Sequence, residues 1–525
     1  MLHVLDDYLC LLEEKNLTDP DSLRSPLLAQ VRHTPINCLT YDSRLVKSSA
    51  LFIVKGAHFT PQFLIDAQAA GAIAYVVDRS LAPTLANTVT IPAIPVTNIR
   101  QATLALGQLF FDNSTNKLTT IGITGTKGKS TTTYFVRYIL EKWLRSQKLD
   151  GPAILSSINN YDGITEEESH LTTPEPLELY QHFSNAHHAG ITHMVMEVSS
   201  QALKYERVCG MRFAIAAFTN IGEDHISPSE HSSFDDYYES KLRIFKQADT
   251  AIVNSDAMLA ERTIAHARAH CPTLTYGSHP EDSVYCPPES ISTDVRGIHF
   301  SAHSPWYSSE EFTISMPGLF NVSNALCAIT ICGVLGVPEE YVREGLQAAQ
   351  APGRMQRYIS DDKKVVVLVD YAHNKLSFES VLSSMHNEYP EHTLLAVFGS
   401  TGGKALDRRK DMGEAVSQYC THAWITEDDN YYEPFESIAA DIAQYVTIPH
   451  TINENRAECI RKAILDGTAQ DDTVQRVVLL LGKGLETTHV RGSTYVEVPS
   501  DNDYALRFLA EYNAAHPASI RERAV

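Results

Sequence analysis

The stretch GITGTKGKS, Gly122 to Ser130, has the composition of a phosphate cradle. Glycines let backbone N–H groups approach an anion, a lysine neutralises it, and a hydroxyl can ligate a divalent cation. The spacing departs from the common GxxxxGK[ST] loop, whose first glycine would fall at Ile123; Gly122 stands one place early. In this reading Lys129 faces the β- and γ-phosphates of a nucleotide and Ser130 faces Mg²⁺. Glu197 ends HMVMEVSS, where a metal ligand belongs, and Asp224 and His225 close FTNIGEDH. A lone histidine is more often structural than a ligand, so His225 has little weight by itself. Lys241, within YYESKLRIF, reads on composition as a solvated surface charge.

A phosphate loop needs a strand before it and a helix after it. TTIGIT supplies the strand, and STTTYFVRYILEKWL continues as a helix with Phe135, Ile139, Leu140 and Trp143 at helical spacing. The apolar runs HMVMEV, IAAFTN and TAIVNS read as further buried strands, and alternation with helices implies a parallel sheet covered on both faces. Polar DNSTNK, Asp112 to Lys117, and turn-rich AQAPGRMQ, Ala348 to Gln356, read as joins. Beyond the second join KVVVLVD, TLLAVFGS, HAWITED and VVLLLGKG repeat the strand–helix pattern, so a second, smaller α/β unit is expected.

With 525 residues the chain has room for three ordinary domains. Its net charge of −21 argues against nonspecific binding of nucleic acid or anionic membranes. Nine cysteines stand singly without zinc spacing, as in reduced cytoplasmic proteins. The acidic N-terminus does not read as a secretory signal, and the apolar runs are far short of the ~18 residues of a membrane helix. A cytoplasmic protein is expected.

Together these segments resemble the Mur ligases, which build the peptide stem of bacterial cell-wall precursors. That family's loop has the form GxTGTxGK[ST], and GITGTKGKS fits it, early glycine included. The resemblance extends over nearly the whole chain. YDSRLVKSSALFIVKGAHF is similar to the uridine-nucleotide-binding part and implicates Ser43. LTTPEPLEL and MEVSSQALKYERVCG are similar to muramoyl-dipeptide contacts and implicate Thr172, Thr173, Ser199 and Arg207. MPGLFNVSNALCAI and VDYAHN implicate Asn321, Asp370 and His373 on the nucleoside side, and PGRMQ implicates Arg354. The implied ATP site adds Gly125, Thr126, Lys127, Gly128, Lys129, Ser130 and Thr131.

The resemblance implies an α/β protein of three domains. A UDP-MurNAc-binding α/β domain would span 1–113, a central P-loop parallel-sheet ATPase domain 114–348, and a C-terminal Rossmann-like amino-acid-binding domain 349–525. It also implies a monomer. The implied reaction uses ATP to phosphorylate the free carboxylate of UDP-N-acetylmuramoyl-L-alanyl-D-glutamate, and an amine then displaces phosphate from the acyl phosphate. Two Mg²⁺ ions and Lys129 would offset the charge of the two anions. Ser130, Glu197, His225 and Lys241 are the implied metal ligands, with Lys241 carbamylated by CO₂ and also facing the substrate. Four residues depart from the pattern: Tyr205 for Gln, Asn374 and Lys375 for Thr-Pro, and Asn430 where lysine-adding relatives have Pro.

Relatives that add diaminopimelate hold its second carboxylate with the arginine of a DNPR segment; here the matching TEDDNYYEP has Tyr431 and Tyr432 in place of Pro-Arg. Asp428, Asp429 and Glu486 would instead suit a side-chain ammonium, so L-lysine is expected, with ornithine one methylene shorter as the alternative. Folylpolyglutamate synthetase, the rival enzyme, lacks the N-terminal uridine-binding segment. A catalytically silent paralogue acting as a binding partner is the rival of another class.

Overall fold

Runs of β-branched and aliphatic residues pair into parallel sheets in the computed structural model, which describes residues 3–56, 59–223, 230–294, 296–308, 311–403, 406–467 and 475–517. The first sheet holds β1 (Cys38–Thr40), β2 (Ala50–Ile53), β3 (Ala72–Asp78) and β4 (Ala93–Val96), in that order and all parallel.

The second sheet holds β5 (Thr119–Thr124), β6 (Ala153–Leu155), β7 (Asn159–Tyr161), β8 (Glu166–Glu168), β9 (His193–Glu197), β10 (Phe213–Phe218), β11 (Ala248–Asn254), β12 (Thr273–Gly277) and β13 (Val284–Tyr285). Their order is β13-β12-β11-β10-β5-β9-β6-β7-β8. The strands from β13 to β6 run parallel, and β7 and β8 add an antiparallel edge. A small antiparallel sheet follows, of β14 (Ser292–Asp294), β15 (Gly297–Ser301) and β16 (Glu311–Ile314).

The third large sheet holds β17 (Gln356–Ile359), β18 (Val365–Asp370), β19 (Thr393–Phe398), β20 (His422–Ile425), β21 (His450–Ile452) and β22 (Arg476–Leu481), in the order β17-β18-β22-β19-β20-β21. Only β17 runs antiparallel. The hairpin of β23 (Thr488–Arg491) and β24 (Thr494–Glu497) closes the list of strands.

Side chains of the second sheet alternate between two cores, as a pleated strand covered on both faces requires. Ile121 and Ile123 of β5 and Val195 of β9 pack with Phe135, Ile139 and Leu140 of the helix Lys129–Ser146. Met194 and Met196 of β9 face the other way, toward Leu179 and Phe183 of the helix Pro176–His188. Each such fully buried side chain contributes roughly 1.5–3 kcal/mol of transfer free energy. The first of these cores continues through Leu346, Ala351 and Met355 into Leu368 of the third sheet.

The small sheet and the hairpin edges were not foreseen from the sequence. β8 reads EEE and β14 reads STD, strands fully exposed in the fold that show no apolar alternation.

Candidate active site

The carboxyl ends of β5, β9, β6 and β10 meet at one edge of the second sheet, where a doubly covered parallel sheet offers its crevice. The loop that leaves β5 turns at Gly125 (φ +148°) and Gly128 (φ +81°), and the helix starts at Lys129. A Cβ at Gly125 would lie 1.9 Å from Thr219 Oγ1, and one at Gly128 would lie 2.2 Å from Asn324 Oδ1. Glycine is demanded there by both backbone and space. The segment after β10 holds the loop: Thr219 Oγ1 donates to the Lys127 carbonyl at 2.7 Å, and Asn220 Oδ1 accepts from the Lys127 N–H at 2.8 Å. Thr126 N–H donates to the Asn220 carbonyl at 3.0 Å, and its hydroxyl accepts from Gly222 N–H at 3.1 Å. Thr131 is buried in the first helical turn.

Two ammonium groups converge on this loop. Lys129 Nζ donates to the Gly125 carbonyl at 3.0 Å and the Thr126 carbonyl at 3.1 Å. Lys241, in the last turn of the helix Phe234–Leu242, donates to the same Gly125 oxygen at 2.7 Å and lies 4.6 Å from the Tyr237 ring centroid. It is 1% exposed. The compositional reading of Lys241 as a solvated surface charge is therefore wrong: the last helical turn tucks under the loop and takes the lysine with it.

Beside the loop the oxygens form a chain. Ser130 Oγ lies 3.0 Å from Ser157 Oγ, and Ser157 donates from its hydroxyl (3.1 Å) and its backbone N–H (2.8 Å) to Glu197 Oε1. A hydroxyl and a carboxylate at a phosphate loop are hard oxygen donors of the kind Mg²⁺ prefers. Asp224 and His225 lie outside the described residues.

The dipeptide-side residues adjoin this chain. Thr173 Oγ1 donates to the Glu197 carbonyl and accepts from Ser199 N–H, each at 3.0 Å. Arg207 Nη1 donates to the Thr173 carbonyl at 3.2 Å, and its Nε pairs with Glu175 at 2.7 Å. Glu175 also receives Lys55, from just beyond β2, at 2.8 Å. Burial would raise the Glu175 carboxyl pKa, but these cations hold it below the usual carboxylate range. Lys55, Arg100, Glu175, Tyr205 and Arg207 line a cavity of about 210 Å³, with the Arg100 guanidinium 5.0 Å from the Tyr205 ring centroid. Tyr205 thus uses its ring, not an amide, to line the cleft. Ser43, which opens the short turn Ser43–Leu45, and Thr172, beside Thr173, are both half-buried.

Asn321 is fully buried; it donates to the Pro317 carbonyl at 2.7 Å and accepts from Asn324 Nδ2 at 2.9 Å, fixing Asn324 against Gly128. Asp370, at the end of β18, accepts Met355 N–H and Ala372 N–H at 2.8 Å each. Burial pushes its carboxyl pKa up, against the pull of Arg354 and Lys127, so the loop's charge reaches the third sheet. Arg354 stacks 4.9 Å from the Tyr371 ring centroid, and His373 Nδ1 donates to the Tyr371 carbonyl at 2.8 Å. Asn374 caps the helix Lys375–Glu388 by accepting from Ser377 N–H at 3.2 Å, a task a threonine would share.

Asp428, Asp429 and Glu486 also come together, but around an ammonium the sequence reading passed over. Lys483 Nζ lies 3.0 Å from Asp429 Oδ1 and also meets Glu486. Burial would lower its pKa; Asp428, Glu486 and Asp429 outweigh that and hold it charged. Asp428 Oδ1 accepts from Asp429 N–H at 2.6 Å, and Glu486 Oε1 accepts from Tyr371 at 2.7 Å. The neighbouring arginines are engaged elsewhere: Arg456 with Asp501 at 2.6 Å, and Arg491 with Glu427 at 2.6 Å. Asn430, in place of proline, donates to Glu427 at 3.1 Å.

Residues 123–332 match the Mur ligase middle domain, and residues 353–484 match the Mur ligase glutamate ligase domain. The UDP-N-acetylmuramoyl-L-alanyl-D-glutamate--L-lysine ligase of Enterococcus faecalis is 35% identical over 503 residues, covering 94% of this chain and 95% of that protein. This chain belongs to the Mur ligase family. A second Mur ligase of the same description, from Streptococcus mutans, is 34% identical over 477 residues, covering 90% of this chain and 92% of its own. A solved UDP-N-acetylmuramoyl-L-alanyl-D-glutamate--2,6-diaminopimelate ligase shares the Mur ligase fold with a TM-score of 0.66 at 22% identity, over 98% of this chain and 100% of that one.

Sequence reasoning missed Ser157, Thr219, Asn220, Asn324 and Lys483. Thr219 and Asn220 follow β10, which flanks the loop strand, and Ser157 follows β6, one strand further out beyond β9, so the rule that ligands gather at carboxyl ends points to them once the strand order is known. Lys483 stands three residues before Glu486 in GKGLE, where lysine and glutamate were available to be read as a pair.

Proposed function

We propose that this Mur ligase joins L-lysine to the D-glutamate of UDP-N-acetylmuramoyl-L-alanyl-D-glutamate, with ATP as phosphoryl donor and ADP and phosphate as products. The convergence of Lys129, Lys241 and the Ser130–Ser157–Glu197 oxygens on one glycine loop supports this reading most directly. The lysine ligases at 35% and 34% identity support the choice of substrates. We propose the divisions 1–113, 114–348 and 349–525 for the nucleotide-dipeptide, ATP and amino-acid parts.

In the proposed mechanism the glycine loop and its helix N-terminus receive the phosphates of ATP, with Lys129 leaving its backbone acceptors for them. Asn321, Arg354, Asp370 and His373 shape the nucleoside side. Ser130 and Glu197 would hold Mg²⁺, with Lys241, as a carbamate, and His225 supporting a second ion. Mg²⁺ supplies charge neutralisation between the two anions when bound. Ser43, Thr172, Thr173, Ser199 and Arg207 orient the nucleotide dipeptide so that its carboxylate oxygen attacks the γ-phosphorus and ADP leaves. The lysine α-amine then attacks the acyl carbon, phosphate departs with the C–O electron pair, and the amine loses its proton. Position is the main contribution of the chain's residues here.

For the amine, three carboxylates surround one resident ammonium, so the cluster retains negative charge. A second carboxylate on the incoming amino acid would meet repulsion and find the nearby arginines paired. The proposed setting is the cytoplasm, as a monomer without nucleic-acid partners; no helix among the described residues is long and apolar enough to cross a membrane.

The test is ADP release with the nucleotide dipeptide and lysine, ornithine or diaminopimelate in competition. Lysine is expected to win, and Lys129→Ala to abolish ADP formation while keeping its circular dichroism. Asp429→Asn should raise the lysine KM by about one to two orders of magnitude with little change in the KM for ATP. Preference for diaminopimelate would overturn the lysine assignment, and stable binding of all substrates without ADP release would favour a silent paralogue.

A further inference from the structure

Away from the loop, at the outer edge of the second sheet, a buried histidine points its unpaired nitrogen at two carboxylates. His182, on the helix Pro176–His188, is 4% exposed. Its Nδ1 lies 2.7 Å from Asp162 Oδ2, which also accepts from Asn185 Nδ2 at 2.9 Å. The other Asp162 oxygen accepts the backbone N–H groups of Ile164 (3.0 Å) and Thr165 (2.7 Å). A carboxylate so engaged is an acceptor, so the Nδ1 proton is fixed toward it and the Nε2 lone pair is left facing outward. Nε2 is buried with no hydrogen-bond partner among the described residues. It lies 3.6 Å from Glu167 Oε1 on β8, and ligand atoms of His182, Glu167 and Glu178 all fall within 4.8 Å of one another.

A lone pair facing two carboxylates is a position a cation between them would fill. A proton on Nε2 answers this poorly, since 3.6 Å is too long for an N–H···O bond. A metal bound at about 2.0–2.2 Å to nitrogen and oxygen spans the same gap at an angle of roughly 120°. Glu178 and His182 stand one helical turn apart on the same face, and the Asp162–His182 pair is the outer-shell arrangement that orients metal-binding imidazoles. We propose that Glu167, Glu178 and His182 bind one borderline first-row divalent cation, with Zn²⁺ as the probe. An imidazole with two carboxylates suits such a cation better than Mg²⁺ or Ca²⁺. The ion would staple β8, whose three consecutive glutamates otherwise repel at a sheet edge, to the helix that begins just after Thr173. The chain between those two anchors includes Thr172 and Thr173.

The experiment compares full-length, chelator-treated protein with Glu167→Gln/Glu178→Gln, both of whose changes fall on exposed side chains. Equilibrium dialysis against Zn²⁺ should show one equivalent fewer on the variant, and the Zn²⁺-dependent rise in Tm should be lost. Co²⁺ should give the wild type visible d–d bands that the variant lacks. Equal stoichiometry and equal Tm response in the two proteins would overturn the proposal. So would ¹⁵N-histidine spectra showing both His182 nitrogens protonated in the presence of Zn²⁺.

Discussion

At the scale of single residues, the loop leaves little freedom. A methyl group at Gly125 would collide with Thr219 Oγ1 and demand a backbone angle of +148° that side chains rarely adopt. Gly125→Ala should therefore cost about 1–3 kcal/mol locally and abolish ADP formation, checked by turnover and by urea denaturation of the same preparation. Lys483 is a residue of the opposite kind, holding others in place by charge. Lys483→Met would leave Asp428, Asp429 and Glu486 facing one another, and a loss of about 3–5 kcal/mol in chemical denaturation is expected. Lys129, Ser130 and Glu197 were legible because a contiguous motif and the end of one strand announce them. Ser157 was not, because its partner Glu197 stands 40 residues away, and Lys483 was legible only toward Glu486 three residues on, its other partner Asp429 standing 54 residues away.

At the scale of elements, the buried strands were read correctly because short apolar runs bounded by turn residues have few other uses. Exposed edge strands such as β8 and β14 carry no such signal, and neither does the burial of one turn of a polar helix such as that of Lys241. The hairpin of β23 and β24 is pinned to the end of β20 by Glu427, which pairs with Arg491 and His489. Burial alone would raise the Glu427 carboxyl pKa; His489 and Arg491 outweigh it and bring it from 4.5 to about 2. A carboxyl whose folded pKa is depressed contributes stability that is fully present above its unfolded value and is lost as pH falls through the folded one. The contribution of Glu427 should thus be complete above about pH 4.5 and fade toward pH 2. Glu427→Gln should lower stability at neutral pH and flatten the decline across that window, as read from denaturation midpoints at stepped pH.

At the scale of the molecule, the second and third large sheets were legible from strand–helix alternation and the first only through the resemblance, but the mutual placement of all three was not. Nothing in a linear pattern says that Lys55, beside the first sheet, reaches Glu175 and Arg207 beside the second. That triad forms a wall of the 210 Å³ cleft where the nucleotide dipeptide is proposed to sit. Removing the charge of Lys55 should loosen this junction without touching the glycine loop. Lys55→Met is expected to raise the KM for the nucleotide dipeptide about tenfold or more, while the KM values for ATP and lysine stay near wild type.

The carbonyl oxygen of Gly125 receives both the Lys129 and the Lys241 ammonium. Two like charges share one neutral acceptor, so each raises the electrostatic cost of holding the other at that oxygen. Under the proposed function two events would lift that repulsion, the arrival of a polyphosphate beside Lys129 and the carbamylation of Lys241 by CO₂. Directly the two events oppose each other, since relief by either leaves the remaining ammonium in sole possession of the Gly125 oxygen and a carbamate is an anion beside the phosphates; a Mg²⁺ shared between carbamate and phosphates would reverse that sign. Under the proposed function, with Mg²⁺ bound, nucleotide affinity should rise with bicarbonate concentration and carbamate occupancy with nucleotide, by the same factor in both directions.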